Sequence, residues 1–415
     1  MTQDIGARFD KLCKTVPIVD THNDFPYLLR VQLHNELHCD GNKFDFDSWL
    51  GSHTDLKKMK EGKMGIQFFS VYIECKNADY LYEDFNEANS AVRDTLEQID
   101  VTKRLVDEYS HSLQFVRTAD EALDKFRASS GGKISITLGV EGLHQCDLSL
   151  AVVRQYYELG VRYITLTHNC DNPFATAASS ITGGKEDKGL TDYGRDCIKE
   201  MNRLGMMVDL SHVSYKTMHD TLDVTQSPVI FSHSSVYKLT NHERNVRDDV
   251  LRRLEKNGGV CCVNFLPLFL KQEGREKCTI EDAADHICYI IDLVGWDHVG
   301  LGSDFDGIPA GPEGLEDVSK YPELIKLVWE RTNATEEQIA KLMGLNVVRV
   351  WKQNELVAEQ IKKTKMLPIE TNWKDRKWVF YEYSKFFPEI YPGSLEVQDN
   401  EWDTRQGLVI DKKKN

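Results

Sequence analysis

Side chains that could bind a metal ion stand at the ends of short apolar segments along the chain. Each segment has the composition of a buried strand, which needs no imidazole or carboxylate at its end. The residues in these positions are His22, Asp24, Glu141, His168, His212, His233, Asp304 and Asp306. If the carboxyl ends of the strands meet at one mouth, a bound cation compensates for charges that would otherwise be costly to crowd together. The pattern therefore predicts a metal site.

Each of these residues taken alone also has a plain structural explanation. A single histidine is more often a hydrogen-bonded interior or surface residue than a ligand, and we expect this of the histidines that follow no predicted strand. The recurrence of histidines and carboxylates at the same end of nearly every predicted strand is what favours a shared metal site. Ser211 and Ser232, which precede two of the histidines, are expected to support the ligands rather than to act as nucleophiles.

The ligand types suggest how two ions would be shared. Strand alternation places His22 and Asp24 on one side of the first strand, and His212 and His233 come from adjacent strands. Glu141 lies on a strand between these groups, where its two oxygens could bridge two ions about 3.5–4 Å apart. Imidazole and carboxylate without thiolate suit Zn²⁺, with Mn²⁺, Co²⁺ or Fe²⁺ as substitutes. Two such cations lower the pKa of a shared water, so a bridging hydroxide becomes available for hydrolysis.

The elements that would position these residues alternate between strands and helices. Eight segments rich in Val and Ile predict parallel strands buried on both faces, and they begin at Pro17, Met64, Ile134, Val161, Gly205, Pro228, Gly259 and His298. Apolar residues at helical spacing predict helices over 86–109, 191–204, 248–256 and 280–293. This α/β pattern predicts a (β/α)8 TIM-type barrel with its active site at the carboxyl ends of the strands. An open doubly wound sheet is the alternative, but no glycine-rich phosphate-binding motif follows a strand.

The C-terminal part differs in composition from the barrel. After Tyr321 the pattern becomes helical, and we expect the barrel domain to span 1–365 and an extension to span 366–415. Aromatic residues crowd into this extension, and they are Trp373, Trp378, Phe380, Tyr381, Tyr383, Phe386, Phe387 and Tyr391. Because such a density of rings is unfavourable in water, the extension should pack on the barrel or on a second subunit.

Composition excludes several classes of function. The chain of 415 residues carries a net charge of −15, which argues against binding to nucleic acid. The N-terminus lacks the apolar core of a secretory signal, and neither a membrane span nor an anchoring tail is expected. We therefore expect a cytoplasmic enzyme in which most of the scattered cysteines are reduced.

Several motifs in order resemble those of the membrane (renal-type) dipeptidases, a branch of the amidohydrolase-like barrels. The motifs are VDTHNDFP, GVEG, LTHN, VDLSHVS, FSHSS followed by ERNV, and GSDFDGIP followed by PEGLEDVSKYPEL, and the resemblance covers residues 17–351. It implies that His22, Asp24 and Glu141 bind one zinc ion, and that Glu141, His212 and His233 bind a second. It also implies that His168 steadies the oxyanion, that Arg244 grips the substrate carboxylate, and that Asp304 handles the proton and faces the substrate amino group.

The chain also departs from this family in ways that affect the expectations. We expect neither the signal peptide nor the lipid-anchor tail of the secreted relatives in this protein. Cys75 and Cys170 stand where those relatives have a disulfide, and both a disulfide and a cytosolic thiol pair remain open. Phe269 stands near the position where the relatives have a tyrosine that contacts the substrate carboxylate. Without that hydroxyl, recognition of the carboxylate should be looser. Asp306 is expected to order its loop through backbone hydrogen bonds, and the family resemblance implies a homodimer.

Three functions compete at this point. The leading hypothesis is a binuclear zinc dipeptidase that hydrolyses small dipeptides, including Cys-Gly units of glutathione-derived adducts. The alternative is a related two-metal amidohydrolase acting on a non-peptide amide or lactone, but such enzymes bridge their metals with a modified lysine, and Glu141 stands at a strand end instead. A catalytically inactive barrel that serves as a binding scaffold is the third reading, and the full set of expected ligands argues against it.

Overall fold

Eight parallel strands close into a barrel in the computed structural model, which describes residues 5–38, 41, 43–76 and 89–374. The barrel strands, each paired with its two neighbours, are β1 (Ile18–Asn23), β2 (Met64–Val71), β4 (Ile134–Glu141), β5 (Val161–Thr165), β6 (Met207–Asp209), β7 (Ile230–Phe231), β8 (Val260–Val263) and β9 (Val299–Leu301). Pairing of β1 with both β2 and β9 closes the ring. The predicted (β/α)8 barrel is confirmed, and the open doubly wound sheet is excluded.

Helices surround this barrel in the order that the alternating sequence pattern predicts. They are α1 (Ile5–Leu12), α2 (Phe25–Leu33), α3 (Leu56–Glu61), α4 (Ala91–Glu108), α5 (Ala119–Ala128), α6 (Leu150–Leu159), α7 (Ala178–Thr182), α8 (Asp192–Leu204), α9 (Tyr215–Val224), α10 (Asp248–Asn257), α11 (Pro267–Leu270), α12 (Ile280–Val294), α13 (Tyr321–Thr332), α14 (Glu336–Ala340) and α15 (Asn346–Lys363). The helix predicted over 280–293 begins with a capping box in which Thr279 and Asp282 satisfy each other's backbone N–H groups.

One strand was absent from the sequence prediction. The short β3 (Leu113–Phe115) pairs in parallel with Ile134–Ile136, the first residues of β4, while β5 pairs with the later residues of the same strand. β3 therefore lies at the amino end of the barrel and does not reach the mouth where the predicted ligands stand. Every residue of the eight barrel strands is buried, as expected of parallel strands covered on both faces.

An apolar cluster fills the amino end of the barrel interior. Its residues come from the barrel strands, from α5 and from α15, and include Val19, Ile66, Phe68, Ile230, Val260 and Trp351. The Trp351 indole is fully buried and meets the Phe68 ring edge-on, with ring centroids 5.4 Å apart. The helix α15 thus closes this end of the barrel, and the strand ends opposite to it remain available for a site.

The beginning of the C-terminal extension lies against the barrel. Ile369 and Trp373 are partly buried and pack on the main apolar core, and the Arg154 guanidinium donates to the Ile369 carbonyl at 3.1 Å. Residues 375–415, which contain most of the aromatic residues of the expected extension, lie outside the described residues. The packing of that segment therefore stays a prediction.

A disulfide joins Cys75, beyond the end of β2, to Cys170, beyond the end of β5. The sequence leaves open whether these two cysteines form a disulfide or remain free thiols, and in the structure they form the disulfide. The other described cysteines carry free thiols, while Cys39 lies outside the described residues. Among the helices that the structure describes, none is both long enough and apolar enough to cross a membrane.

Candidate metal centre and substrate cavity

The five predicted metal ligands converge at the carboxyl end of the barrel. His22 and Glu141 lie near or at the ends of β1 and β4, Asp24 follows β1, and His212 and His233 follow β6 and β7. Ligand atoms of His22, Asp24 and Glu141 lie within 4.8 Å of one another, and the same holds for Glu141, His212 and His233. Glu141 is the residue that both groups share, as expected of a bridging ligand.

The Glu141 carboxylate stands at the centre of the cluster. Its Oε1 atom lies 2.9 Å from His212 Nε2, 3.4 Å from His233 Nε2 and 3.5 Å from His22 Nε2. The Asp24 carboxylate approaches His22 Nε2 at 3.3 Å. Both carboxylates are almost completely buried, with 4% exposure for Glu141 and 3% for Asp24. Buried carboxylates so close to several imidazoles need a positive charge to compensate for them.

Hydrogen bonds fix the orientation of two of the imidazole rings. The Ser232 hydroxyl donates to the buried Asp209 carboxylate at 2.6 Å, so its oxygen accepts from Nδ1–H of His233 at 2.8 Å. The Asn169 amide oxygen lies 3.3 Å from His212 Nδ1 and accepts its proton. In both rings Nε2 therefore keeps its lone pair and points away from the supporting residue.

The resulting arrangement fits metal ions. The two Nε2 atoms of His212 and His233 lie 2.9 Å apart. With the protons on Nδ1, neither Nε2 can donate to the other, so two lone pairs face each other without a proton between them. His22 Nε2 and Asp24 Oδ1 are buried and have no hydrogen-bond partner. Since unsatisfied buried polar atoms are rare, such a group of electron-pair donors indicates a cation site.

The protonation tendencies of the histidines differ between the two halves of the cluster. Burial lowers the pKa of His212 and of His233 well below the ordinary value, so both rings are neutral, as ligands must be. Burial acts in the same direction on His22, but the neighbouring Tyr163, Asp24 and Glu141 outweigh it and raise the pKa of this histidine. A positive charge is thus favoured between the two carboxylates.

A cavity of about 600 Å³ opens over this cluster and contains the other predicted site residues. Its walls include His168, Arg244 and Asp304, together with the predicted ligands Asp24, Glu141 and His212. His168 Nε2 lies 3.9 Å from Glu141 Oε1, and burial lowers the pKa of this histidine, so the ring is neutral. The structure therefore brings every predicted metal ligand and substrate-side residue to one place.

Arg244 presents an unpaired cation to the cavity. The residue is only 5% exposed, and its Nη1 and Nη2 atoms have no hydrogen-bond partner. Burial lowers the pKa of Arg244 to about 10, so the guanidinium remains charged at neutral pH. Its Cζ atom lies 5.2 Å from the centre of the Phe269 ring, and this cation–π contact holds one face of the group. Two free N–H groups on a buried cation suit a bidentate anionic group of a ligand.

Asp304 is held at the cavity by its backbone and by an amide. Its N–H donates to the His22 carbonyl at 3.0 Å, and the Asn264 side chain donates to its Oδ2 atom at 2.8 Å. Burial raises the pKa of Asp304 to about 7. Asp304 and His212 both have a positive φ, near 66° and 65°, which costs non-glycine residues on the order of 1–3 kcal/mol and is common at functional sites.

Asp306 has the structural role that the sequence predicts. Its carboxylate accepts a hydrogen bond from the His53 backbone N–H at 2.6 Å, and its own N–H donates to His53 Nδ1 at 2.9 Å. These two contacts tie the loop after β9 to the loop before α3. Burial raises the pKa of Asp306 to about 7. The residue shapes the cavity wall from the side and belongs to none of the candidate metal groups.

Sequence reasoning missed several residues of the site. Tyr72 lines the cavity, with its ring edge-on to His168 at 4.7 Å, and His242 lines it while packing on Phe269 at 4.7 Å. Asp209 and Asn264 support site residues through the hydrogen bonds described above. Asp209 could have been found, because a carboxylate at a buried strand end was the signal used for its neighbours. His242 offered no such signal, since it lies in a loop.

Comparison with known proteins identifies the family. Residues 6–365 match the family described as membrane dipeptidase, peptidase family M19. The chain belongs to the membrane dipeptidase family. It is accordingly a metal-dependent dipeptidase, and the resemblance drawn from the motifs is confirmed.

Relatives of the membrane dipeptidase family match most of the chain. An uncharacterized dipeptidase of Schizosaccharomyces pombe is 65% identical, over 98% of this chain and 97% of that protein. The dipeptidase tcpJ of Claviceps purpurea is 43% identical, over 80% of this chain and 75% of that protein.

Two solved structures share the fold. The metallopeptidase of family M19 named dipeptidase AC has 27% identity and a TM-score of 0.70, covering 82% of this chain and 99% of that one. A Rhodobacter sphaeroides metallopeptidase, liganded with a phosphinate mimic of the dipeptide L-Ala-D-Ala, has 26% identity and the same TM-score, and covers 82% of this chain and 99% of its own.

Proposed function

We propose that this membrane dipeptidase family member is a binuclear zinc dipeptidase. One ion would be held by His22, Asp24 and Glu141, and the second by Glu141, His212 and His233. The observation that carries this proposal is the 2.9 Å approach of two imidazole Nε2 atoms that cannot share a proton. When bound, the two ions would supply an activated water and neutralise negative charge on the attacked carbonyl.

The donor set supports zinc as the metal. Imidazole nitrogen and carboxylate oxygen, with no thiolate among the five ligands, are typical of catalytic zinc sites. Mn²⁺, Co²⁺ and Fe²⁺ accept the same donors and are proposed as substitutes. Three protein ligands for each ion would leave room for water and substrate in the cavity above.

Arg244 is proposed to bind the free carboxylate of the dipeptide. Its two unpaired N–H groups face the same cavity as the metal ligands, and a bidentate contact would set the distance from the carboxylate to the scissile bond. A longer peptide would place an uncharged amide against this buried cation. The arrangement thus supports a preference for dipeptides.

His168 and Asp304 are proposed to act on the reacting groups. A neutral His168 can donate a hydrogen bond to the carbonyl oxygen as negative charge develops on it. Asp304 can accept the proton of the attacking water and return it to the leaving amine. A pKa near 7 suits this carboxylate for both transfers at neutral pH.

The physiological substrate is a narrower proposal. A cavity of about 600 Å³ accommodates a dipeptide with a substituted side chain, and Cys-Gly units of glutathione-derived adducts have this form. Comparing kcat/KM for Cys-Gly, an S-alkylated Cys-Gly, Ala-Ala and L-Ala-D-Ala tests it. A clear preference for the sulfur substrates supports the specialised role, whereas equal values support a dipeptidase of broad tolerance.

Metal analysis tests the binuclear proposal directly. Elemental analysis of protein purified without chelators should give two zinc ions per chain. Removal of metal should abolish dipeptide hydrolysis, and two equivalents of Zn²⁺ should restore it. One ion per chain with full activity, or activity that survives metal removal, would contradict the proposal.

Assembly and location are further proposals. We expect a homodimer, to be tested by light scattering of the full chain. We also expect a cytoplasmic location, to be tested by fractionation. A disulfide such as Cys75–Cys170 is more typical of oxidising compartments, so thiol labelling of freshly lysed cells would test the location and the redox state together.

A further inference from the structure

Tyr163 is a fully buried residue of β5 that lies directly beneath the metal cluster. Its ring lies against that of Phe68, with ring centroids 5.8 Å apart, and the residue belongs to the apolar cluster of the barrel interior that also contains Val19 and Met207. The space for it exists because its partner on β4 is Gly139, where an added Cβ would lie 2.0 Å from Tyr163 Cζ. The hydroxyl group is the polar end of this side chain, and it reaches His22, one of the predicted metal ligands.

The hydroxyl of Tyr163 has two partners and a single proton. It lies 2.9 Å from the backbone carbonyl of Thr21 and 2.8 Å from Nδ1 of His22. A carbonyl can only accept, so the hydroxyl proton goes to Thr21. The contact with His22 is then a hydrogen bond only if the imidazole donates from Nδ1. A neutral His22 must accordingly leave the lone pair on Nε2, the atom that lies beside Asp24 and Glu141.

We propose that Tyr163 is a positioning residue that fixes the tautomer and the ring orientation of His22 for metal binding. The inference rests on the proposed metal site, but it concerns a residue that none of the family motifs contains. Ser232 and Asn169 do the same for His233 and His212, so each metal histidine has its own acceptor at Nδ1. Tyr163 completes this set from inside the barrel.

The test is a substitution that removes only the hydroxyl of Tyr163. Tyr163→Phe keeps the ring that fills the space over Gly139 and removes the acceptor for His22. Tyr156→Phe is the matched control, because Tyr156 is also fully buried and its hydroxyl donates to a backbone carbonyl, that of Gln145, at 2.7 Å. Both variants lose a buried hydroxyl, but only the first loses a contact with a ligand. Zinc content and zinc affinity, measured by competition with a chelator, are the readouts.

Tyr163→Phe should bind one of its two zinc ions about 10- to 100-fold more weakly, the size of effect that removal of such a support usually has. Tyr156→Phe should bind both ions as the wild type does. In the Co²⁺-substituted protein, the visible spectrum of one ion should change in the first variant alone. Unchanged affinity and spectrum in Tyr163→Phe would overturn the inference.

The outcomes also separate this inference from the proposed function. If the wild-type protein binds two ions and Tyr163→Phe binds them equally well, only the role of Tyr163 fails. If the wild-type protein itself does not bind two ions, the binuclear proposal fails. If Tyr163→Phe does not fold, ¹⁵N-histidine NMR of the zinc-loaded wild-type protein decides the matter. A proton on His22 Nδ1 supports the inference, and a proton on Nε2 overturns it.

Discussion

The two ends of the barrel interior are built from different kinds of side chain. At the amino end, Val19, Ile66, Phe68 and Trp351 form an apolar cluster that α15 covers. At the carboxyl end, imidazoles, carboxylates and a guanidinium line a cavity, and several of their polar atoms have no protein partner. Burial of apolar groups stabilises a fold, whereas unsatisfied buried polar groups destabilise it. The difference indicates that the first end serves stability and the second serves ligands.

Glu141→Gln should produce the largest change at the carboxyl end. The substitution keeps the size of the shared ligand but removes its charge, so the protein should lose at least one metal ion. Because such ions contribute several kcal/mol to catalysis, kcat/KM should fall on the order of 10³-fold. Metal content and kcat/KM for Ala-Ala measure both effects.

Glu200→Gln is the matched control for this prediction. Glu200 is also a buried carboxylate, but it pairs with Arg154 and Arg203 on the outside of the barrel. Its substitution should lower the melting temperature without changing metal content or kcat/KM of the folded protein. A fully active Glu141→Gln variant would contradict the shared-ligand role.

Arg244→Met should have the next largest effect. Hydrogen bonds to a charged group contribute about 1.5–3 kcal/mol, so KM for dipeptides should rise about 10- to 100-fold. A dipeptide amide lacks the carboxylate, and its hydrolysis should respond much less. Arg244→Lys keeps the charge without the planar pair of donors, so its KM for dipeptides should lie between those of the wild type and Arg244→Met. An unchanged KM for dipeptides would remove Arg244 from substrate binding.

The sequence was sufficient to predict the barrel and the convergence of the candidate ligands at its mouth, because both depend on local patterns. Buried parallel strands give continuous apolar segments, and the residue after each segment must lie at the mouth. His22, Glu141 and His233 could therefore be predicted to meet without knowledge of any contact. The same reasoning left out the histidines that follow no strand, and one of these, His242, lines the cavity.

What the sequence could not provide were the contacts between distant residues. Tyr163 is 141 positions from the imidazole that it supports, and nothing in the spacing of the two residues relates them. Residues 113–115 form a strand because the start of β4 offers them a partner, and three residues are too few to give a periodic signal. His242 reaches the cavity through the path of a loop. These features depend on tertiary packing, which local patterns do not encode.

Phe269→Tyr should have a small effect at the same end. The Phe269 ring lies against the Arg244 guanidinium, and a hydroxyl added at its edge could donate to a bound carboxylate. One such hydrogen bond is worth about 1 kcal/mol, so KM for dipeptides should fall about fivefold. KM for a dipeptide amide should stay within about twofold. A rise in KM for dipeptides would show that the contact of the Phe269 ring with the Arg244 guanidinium matters more for binding than an added hydrogen-bond donor.

Trp351→Ala should have the smallest effect on turnover and a large effect on stability. The indole is fully buried against Phe68 at the amino end, so its removal leaves a cavity and should lower the free energy of unfolding by about 3–5 kcal/mol. Metal content and kcat/KM of the remaining folded protein should equal those of the wild type, because the predicted ligands lie at the carboxyl ends of the strands and none of them belongs to this cluster. Denaturant unfolding and zinc analysis at low temperature measure the two quantities separately. Loss of zinc from folded Trp351→Ala protein would contradict the separate roles of the two barrel ends. The packing at the amino end would then determine the geometry of the ligands as well as the stability of the barrel.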